Sequence, residues 1–236
     1  MADVPPPLFI LCPGYSFSSV VCAMLGEHPA MHGFPELNLF VEETVGGLLN
    51  YYASERGQLH GLVRALAQVL EGEQSQKAVE KSWRFLEAHK GWQTGALYRY
   101  LLERLAPLRG VDKSPTYGAF PERLERLYRT FPHAFFLHLT RHPWDAGASL
   151  YRVYGAKAAL GIGRWPEDVA NQVEQYWVQR HQNILAFAKR LPHHRYLRLQ
   201  GERLLEDPDR YLPQIVQWLG LRMDEGAIEA MKHPEH

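Results

Sequence analysis

The chain has 236 residues in which 26 Lys and Arg balance 26 Asp and Glu, so the formal net charge is zero before the 12 histidines are counted. A hydrophobic fraction of 46% against 22% charged residues is enough to bury a core and excludes a mostly disordered chain. Neutrality argues against a long run of nucleic-acid phosphates as partner, because counterion release needs many unopposed cations on one face, whereas a small anion needs only a local patch.

The N-terminal MADVPPPLFIL carries Asp3 and three prolines before a very short apolar run, the wrong order for a secretory signal. No stretch approaches the roughly 20 apolar residues of a membrane span. Cys12 and Cys22 are too few for a disulfide framework and read as reduced thiols near the core. A soluble, cytoplasmic setting is expected. Leu8 to Cys12 is a continuous apolar run ended by Pro13 and Gly14, which reads as a strand buried on both faces. Ser18 to Glu27 follows with serines suited to capping a helix. Helices are expected near Leu39–Tyr52, Leu59–Leu70, Val79–Ala88 and Trp92–Ala106. A short strand leads into VDKSPTY at Val111–Tyr117, and a helix over Pro121–Thr130 precedes the strand Ala134–Thr140. Beyond RHPWDAGASLY come a Gly-rich loop through Gly161 and Gly163, a long helix over Pro166–Arg190, a strand at Tyr196–Leu199 and an amphipathic helix at Pro208–Leu219. Strands separated by helices imply an α/β fold with a parallel sheet and helices on both faces.

Three places could carry chemistry. Pro13–Ser19 (PGYSFSS) joins a buried strand to a helix, where backbone N–H groups converge at the positive end of the helix dipole and Ser16, Ser18 and Ser19 can add hydroxyls. That suits a phosphate or sulfate, although a Ser-rich turn can also be no more than a capped helix. The loop is not GxxxxGK[ST], which disfavours an ordinary nucleotide triphosphatase or a small-molecule kinase. Arg141 emerges from the carboxyl end of a strand, where ligands of open parallel sheets bind, and Ser149 follows eight residues later. The pair could grip a phosphate, or Arg141 could simply pair with Asp145. Lys113 and Glu36 each follow a predicted strand, and in one crevice they could serve as electrostatic stabiliser and general base; alone, each could be a solvated loop charge.

These segments in this order resemble the sulfotransferases that use 3'-phosphoadenosine 5'-phosphosulfate (PAPS). The resemblance runs through Leu8–Ser19, AMLGEHPAMHGFPELNLF, DKSPTY, LHLTRHPWDAGASLY and ERLLEDPDRYLPQIVQWLGL, and is nearest to the tyrosylprotein sulfotransferases and the sulfotransferase domains of polyketide synthases. It implies a single domain over 1–236 with a three-layer P-loop-like fold and a helical insertion, about 39–106, after the second strand. It further implies that Gly14, Tyr15, Ser16, Phe17, Ser18 and Ser19 hold the 5'-phosphosulfate, and that Arg141 and Ser149 hold the 3'-phosphate. Lys113 would offset charge on the transferring group, and Glu36 would take the acceptor's proton. Such transfer is mostly positioning and charge neutralisation, with PAPS as co-substrate and no metal required; the adjacent His193 and His194 point in different directions and make no metal site.

Two differences from the family pattern accompany these expectations. No cation stands at Tyr15, where the family has Arg or Lys, and Gly201 replaces the tyrosine of a YED-type segment. The chain also stops at MKHPEH, before the Gly-containing segment that closes over the nucleotide in the family, so either the sequence is a piece cut short before that segment or the cofactor site is incomplete. The acceptor would be a small-molecule or carrier-protein-bound hydroxyl. The alternative is a non-catalytic module of the same fold that binds an anionic nucleotide or ligand. Between Arg104 and Lys157 nine cations (Arg104, Arg109, Lys113, Arg123, Arg126, Arg129, Arg141, Arg152, Lys157) face four acids, a surplus expected where a charged cofactor binds. Tyr51, Tyr52, Trp83, Trp92, Tyr98 and Tyr100 could line an acceptor cleft or pack as core.

Overall fold

Leu8–Leu11 (β1) is completely buried because both of its faces meet a core. Phe9 and Leu11 pack into one apolar cluster, and Leu8, Ile10 and the following Cys12 into another. Alternation of side chains along a strand sends successive residues to opposite faces, so a sequence that is apolar at every position calls for a helical layer on each side. The computed structural model describes residues 4–159 and 169–234, with side chains at 154–159 and 169–173 left aside.

After β1 come α1 (Ser18–Gly26) and β2 (Met31–Gly33), then α2 (Val45–Tyr51), α3 (His60–Glu71), α4 (Gln76–Ala88) and α5 (Thr94–Leu105). The chain returns to the sheet as β3 (Arg109–Asp112), followed by α6 (Pro121–Thr130), β4 (Phe135–Thr140), α7 (Pro143–Ala159), α8 (Val169–Ala188), β5 (Tyr196–Gln200), α9 (Gly201–Glu206), α10 (Pro208–Trp218) and α11 (Glu225–Met231). The sheet order is β2-β3-β1-β4-β5 and all pairings are parallel. In register, Leu8 stands beside Val111 on one side and Phe135 on the other. Residues of α1, α10 and α11 cover one face, and residues of α2, α3, α5, α6 and α8 cover the other. This is the α/β architecture the sequence predicts, with α2–α5 inserted between the second and third strands.

Three local expectations change. The single helix over Leu39–Tyr52 is a 3-10 turn at Leu39–Val41 and a separate α2. Thr44 breaks it by adopting an extended conformation and accepting the Gly47 N–H through its side chain, a cap that starts a new helix. The strand β2 has only three residues, too few to give a period. Near the end, α9 and α11 flank the expected amphipathic helix. The Gly161–Gly163 loop and the first residues of the helix expected from Pro166 lie outside the described residues.

The connections from β1 run toward β2 and those from β4 toward β5, so the chain direction across the sheet reverses between β1 and β4. Ligands of open parallel sheets bind beyond the carboxyl ends of the strands at such a point. The segments that emerge there are Pro13–Ser19 after β1 and Arg141 after β4.

Candidate functional site

The turn after β1 is built on two left-handed residues, Tyr15 and Phe17, both at φ 64. Helix α1 then begins at Ser18 with Phe17 in the capping place and no side-chain cap. The expectation that a serine caps this helix is therefore corrected. Ser18 bonds toward the Cys12 thiol, and Ser16 is fully buried with its Oγ unpartnered. The first amides of α1 thus lack a side-chain acceptor beside a buried hydroxyl that also lacks one, which is the donor set an anion satisfies. Burial pushes the Cys12 thiol up to about 12, so it stays protonated and is no nucleophile.

Lys113 leaves the carboxyl end of β3 and reaches this turn. Its Nζ donates to Ser19 Oγ at 2.8 Å and to Glu36 Oε1 at 2.9 Å. The lysine side chain is 11% exposed and the glutamate 42%, so the cation is enclosed while the carboxylate faces the crevice. Ser114 fixes this geometry. Its Oγ accepts the Leu37 N–H at 3.1 Å and the Asn38 N–H at 3.0 Å, and its hydroxyl donates to Asp112 Oδ1. Asp112 also accepts from Tyr117, and burial pushes its carboxyl up to about 7 against the opposing effect of these bonds. The segment bearing Glu36 is hung on the residue next to Lys113. From the other side Gly61 of α3 closes on it, since a β-carbon there would lie 2.0 Å from the Glu36 carbonyl oxygen.

Arg141 donates from Nη1 to the Tyr15 carbonyl at 2.7 Å and to Ser149 Oγ of α7 at 3.1 Å. It therefore turns to the loop and the hydroxyl rather than to Asp145. Helix α8 covers the same place. Gly14 N–H donates to Tyr176 Oη at 3.2 Å, Trp177 Nε1 donates to the Arg141 carbonyl at 3.0 Å, and the Arg180 guanidinium stacks on the Tyr176 ring. The positive charge of Arg180, like that of Lys113, acts on the Cys12 thiol at the base of the loop.

Helix α8 is tied to the sheet by a buried chain in which His138 of β4 meets Tyr196 Oη through Nδ1 at 2.7 Å and His181 Nδ1 through Nε2 at 2.8 Å. Burial holds both imidazoles well below their usual range, at about 3 for His138 and about 4 for His181. An unfolded histidine binds its proton near 6.5, so between about pH 6.5 and about pH 4 the unfolded chain holds protons that the folded chain does not. Stability is fully present above that window and falls as the pH drops through it. Unfolding free energies measured in urea from pH 7 to pH 4 are expected to decline by up to about 1.4 kcal/mol per pH unit for each histidine, partly offset by Asp112, whose raised carboxyl takes up its proton in the folded chain first. A His138→Gln, His181→Gln double variant is expected to flatten that slope.

The ten predicted site residues thus gather around one turn: Lys113 through Ser19, Glu36 through Lys113, and Arg141 with Ser149 through Tyr15. Sequence reading missed Ser114, Gly61 and the α8 residues Tyr176, Trp177 and Arg180. The serine stood within the DKSPTY motif, but nothing local marked the helix residues. The expected surplus of cations does not collect here. Of those nine, Lys113 and Arg141 reach the loop, whereas Arg126 and Arg129 engage Glu43, Arg104 stacks on Tyr100, Arg109 on Phe135 and Arg123 on Phe120. Lys157 falls among the side chains left aside. Among the aromatic residues Tyr98 is wholly buried core, so it lines no cleft. Trp83, Trp92 and Tyr100 pack against that core, and Tyr51 is exposed beside Arg123.

A model of the sulfotransferase family matches residues 6–225. Among solved structures, the sulfotransferase domain from the olefin synthase of Synechococcus PCC 7002 is 27% identical with a TM-score of 0.84, covering 100% of this chain and 79% of that one. The sulfotransferase domain from the curacin biosynthetic pathway is 25% identical with a TM-score of 0.80 and the same coverage, 100% and 79%. A mouse sulfotransferase complexed with PAP shares the fold at 12% identity, with a TM-score of 0.53 over 96% of this chain and 62% of that one. No curated protein sequence matches.

Proposed function

The chain belongs to the sulfotransferase family, and from that premise we propose that it transfers the sulfuryl group of PAPS to the hydroxyl of a small-molecule or carrier-bound acceptor. The observation that carries this reading is the position of Lys113, whose single ammonium group bridges the anion-binding turn at Ser19 and the carboxylate of Glu36.

PAPS supplies the sulfuryl group, whose bond to the acceptor oxygen forms as its bond to the 5'-phosphate breaks. The residues present fit such a co-substrate: the unpartnered Ser16 hydroxyl and the uncapped start of α1 suit the phosphosulfate, and Arg141 with Ser149 suits the 3'-phosphate. Lys113 offsets charge that builds on the transferred group and leaving oxygen, the kind of fixed electrostatic stabilisation that dominates such reactions. Glu36 holds Lys113 with Oε1 alone, which leaves Oε2 to accept the acceptor's proton. Arg180 carries a cation to the loop from α8 and compensates in charge for the uncharged Tyr15. Likeness to sulfotransferase domains of an olefin synthase and of the curacin pathway supports a carrier-bound alcohol as acceptor.

The test is transfer of labelled sulfate from PAPS to a panel of free and carrier-bound hydroxyl compounds. Turnover on any of them supports the reading. The missing cation at Tyr15 favours a second one, a module that binds the nucleotide without turnover, and binding of 3'-phosphoadenosine 5'-phosphate with no transfer to any acceptor would establish it instead.

A further inference from the structure

A left-handed turn position is ordinarily filled by glycine, or by asparagine or aspartate, because a β-carbon there crowds the following carbonyl. Phe17 occupies such a position with φ 64 and ψ 8. A bulky residue persists under that strain when its surroundings make use of it. Its ring lies against the Arg141 guanidinium, with Cζ 4.1 Å from the ring centroid. The ring also meets Gly201 at the start of α9, where a β-carbon would come 2.7 Å from Phe17 Cδ2. The space that a side chain at position 201 would take is filled by Phe17.

The consequences fall on Arg141. Its guanidinium carbon lies over the ring, Nη1 is held by the Tyr15 carbonyl and Ser149, and the main-chain carbonyl is held by Trp177. Its Nε–H remains buried without a partner. A cation–ring contact restrains a guanidinium without using any of its N–H donors, and a restrained fork loses less freedom when it grips an anion.

We propose that Phe17 is a positioning residue that aims Arg141 at the 3'-phosphate of the nucleotide, and that Gly201 is required because any larger residue would displace the ring. This rests on the PAPS reading of the site. It makes the selectivity for a 3'-phosphorylated nucleotide depend on a residue that touches Arg141 rather than on Arg141 and Ser149 alone.

Calorimetry with 3'-phosphoadenosine 5'-phosphate and with adenosine 5'-phosphate, which differ by the 3'-phosphate alone, tests it without recourse to activity. The unsubstituted protein is expected to prefer the first by on the order of 100-fold, as for a charge-assisted contact to a phosphate. Phe17→Leu is expected to reduce that preference roughly tenfold, the 3'-phosphorylated ligand losing more affinity than adenosine 5'-phosphate. Phe17→Tyr, which keeps the ring, should preserve the ratio. Gly201→Ala should lower it as Phe17→Leu does, and the double variant should be no worse than either single one. Melting curves establish that each variant is folded. An unchanged ratio in both Phe17→Leu and Gly201→Ala, or an equal loss for both nucleotides, overturns the inference and leaves the PAPS reading standing. Failure of the unsubstituted protein to bind either nucleotide overturns both.

Discussion

Glu36→Gln is expected to lower kcat for sulfate transfer by about 10²–10⁴-fold, the usual contribution of a positioned general base, and Lys113→Ala by about 10²–10³-fold, the usual loss of one electrostatic stabiliser. The amide that replaces the Glu36 carboxylate can still accept a bond from Lys113 Nζ but cannot take the acceptor's proton, so this variant should keep its fold and its nucleotide affinity while losing turnover. Lys113→Ala removes more than a charge. The same ammonium group holds Ser19 and Glu36, so its loss frees the carboxylate as well as the turn. The two substitutions act on one bonded unit, and the double variant is therefore expected to fall far short of the product of the single effects. Labelled-sulfate transfer at saturating PAPS, together with melting temperatures, checks both. Full activity in both variants would show the roles assigned to Glu36 and Lys113 to be wrong.

A larger structural effect is expected from a residue with no functional group. Gly61→Ala would place a methyl group 2.0 Å from the Glu36 carbonyl oxygen and 2.8 Å from its carbonyl carbon. Both partners are backbone, one in α3 and the other held by Ser114, so neither can rotate aside as a side chain would. Overpacking of this kind costs about 1–3 kcal/mol, equivalent to a fall in melting temperature of roughly 2–12 °C for a chain of this size. The segment that yields carries the proposed base, and a displacement of about 1 Å at a reacting group can cost about 10²-fold in rate. Gly57→Ala is the matched control, since a β-carbon there meets nothing within 4 Å; its stability should stay within about 0.5 kcal/mol of the parent. Equal behaviour of the two variants in thermal melting and in transfer would refute the steric argument.

The sequence announced what is encoded over short distances. An apolar run bounded by Pro13 and Gly14 marks a strand with two buried faces, and polar residues placed just beyond strands, Lys113 and Arg141, mark the side of the sheet where a ligand can meet the loop. The break at Thr44 was hidden because apolar residues on both sides keep a helical spacing through it. The close approaches were hidden for a different reason. The fit of Phe17 over Gly201, the hold of Tyr176 on Gly14 and the pressure of Gly61 on Glu36 each join segments set apart in the chain, and no local period or composition records them. Charge misled in the same way: a stretch rich in arginine looked like a ligand site, but most of those guanidinium groups are engaged with aromatic rings and carboxylates elsewhere.

The Ser114 hydroxyl sets the order of events at the site. One oxygen receives two successive amides from the segment that carries Glu36 and is itself tied to Asp112 at the end of the strand that leads to Lys113. The relative placement of the Glu36 carboxylate and the Lys113 ammonium group is thus settled when the chain folds, and the entropy of aligning them is lost then rather than when a ligand arrives. Under the proposed reaction, binding energy from the acceptor would then be left free to orient the acceptor itself.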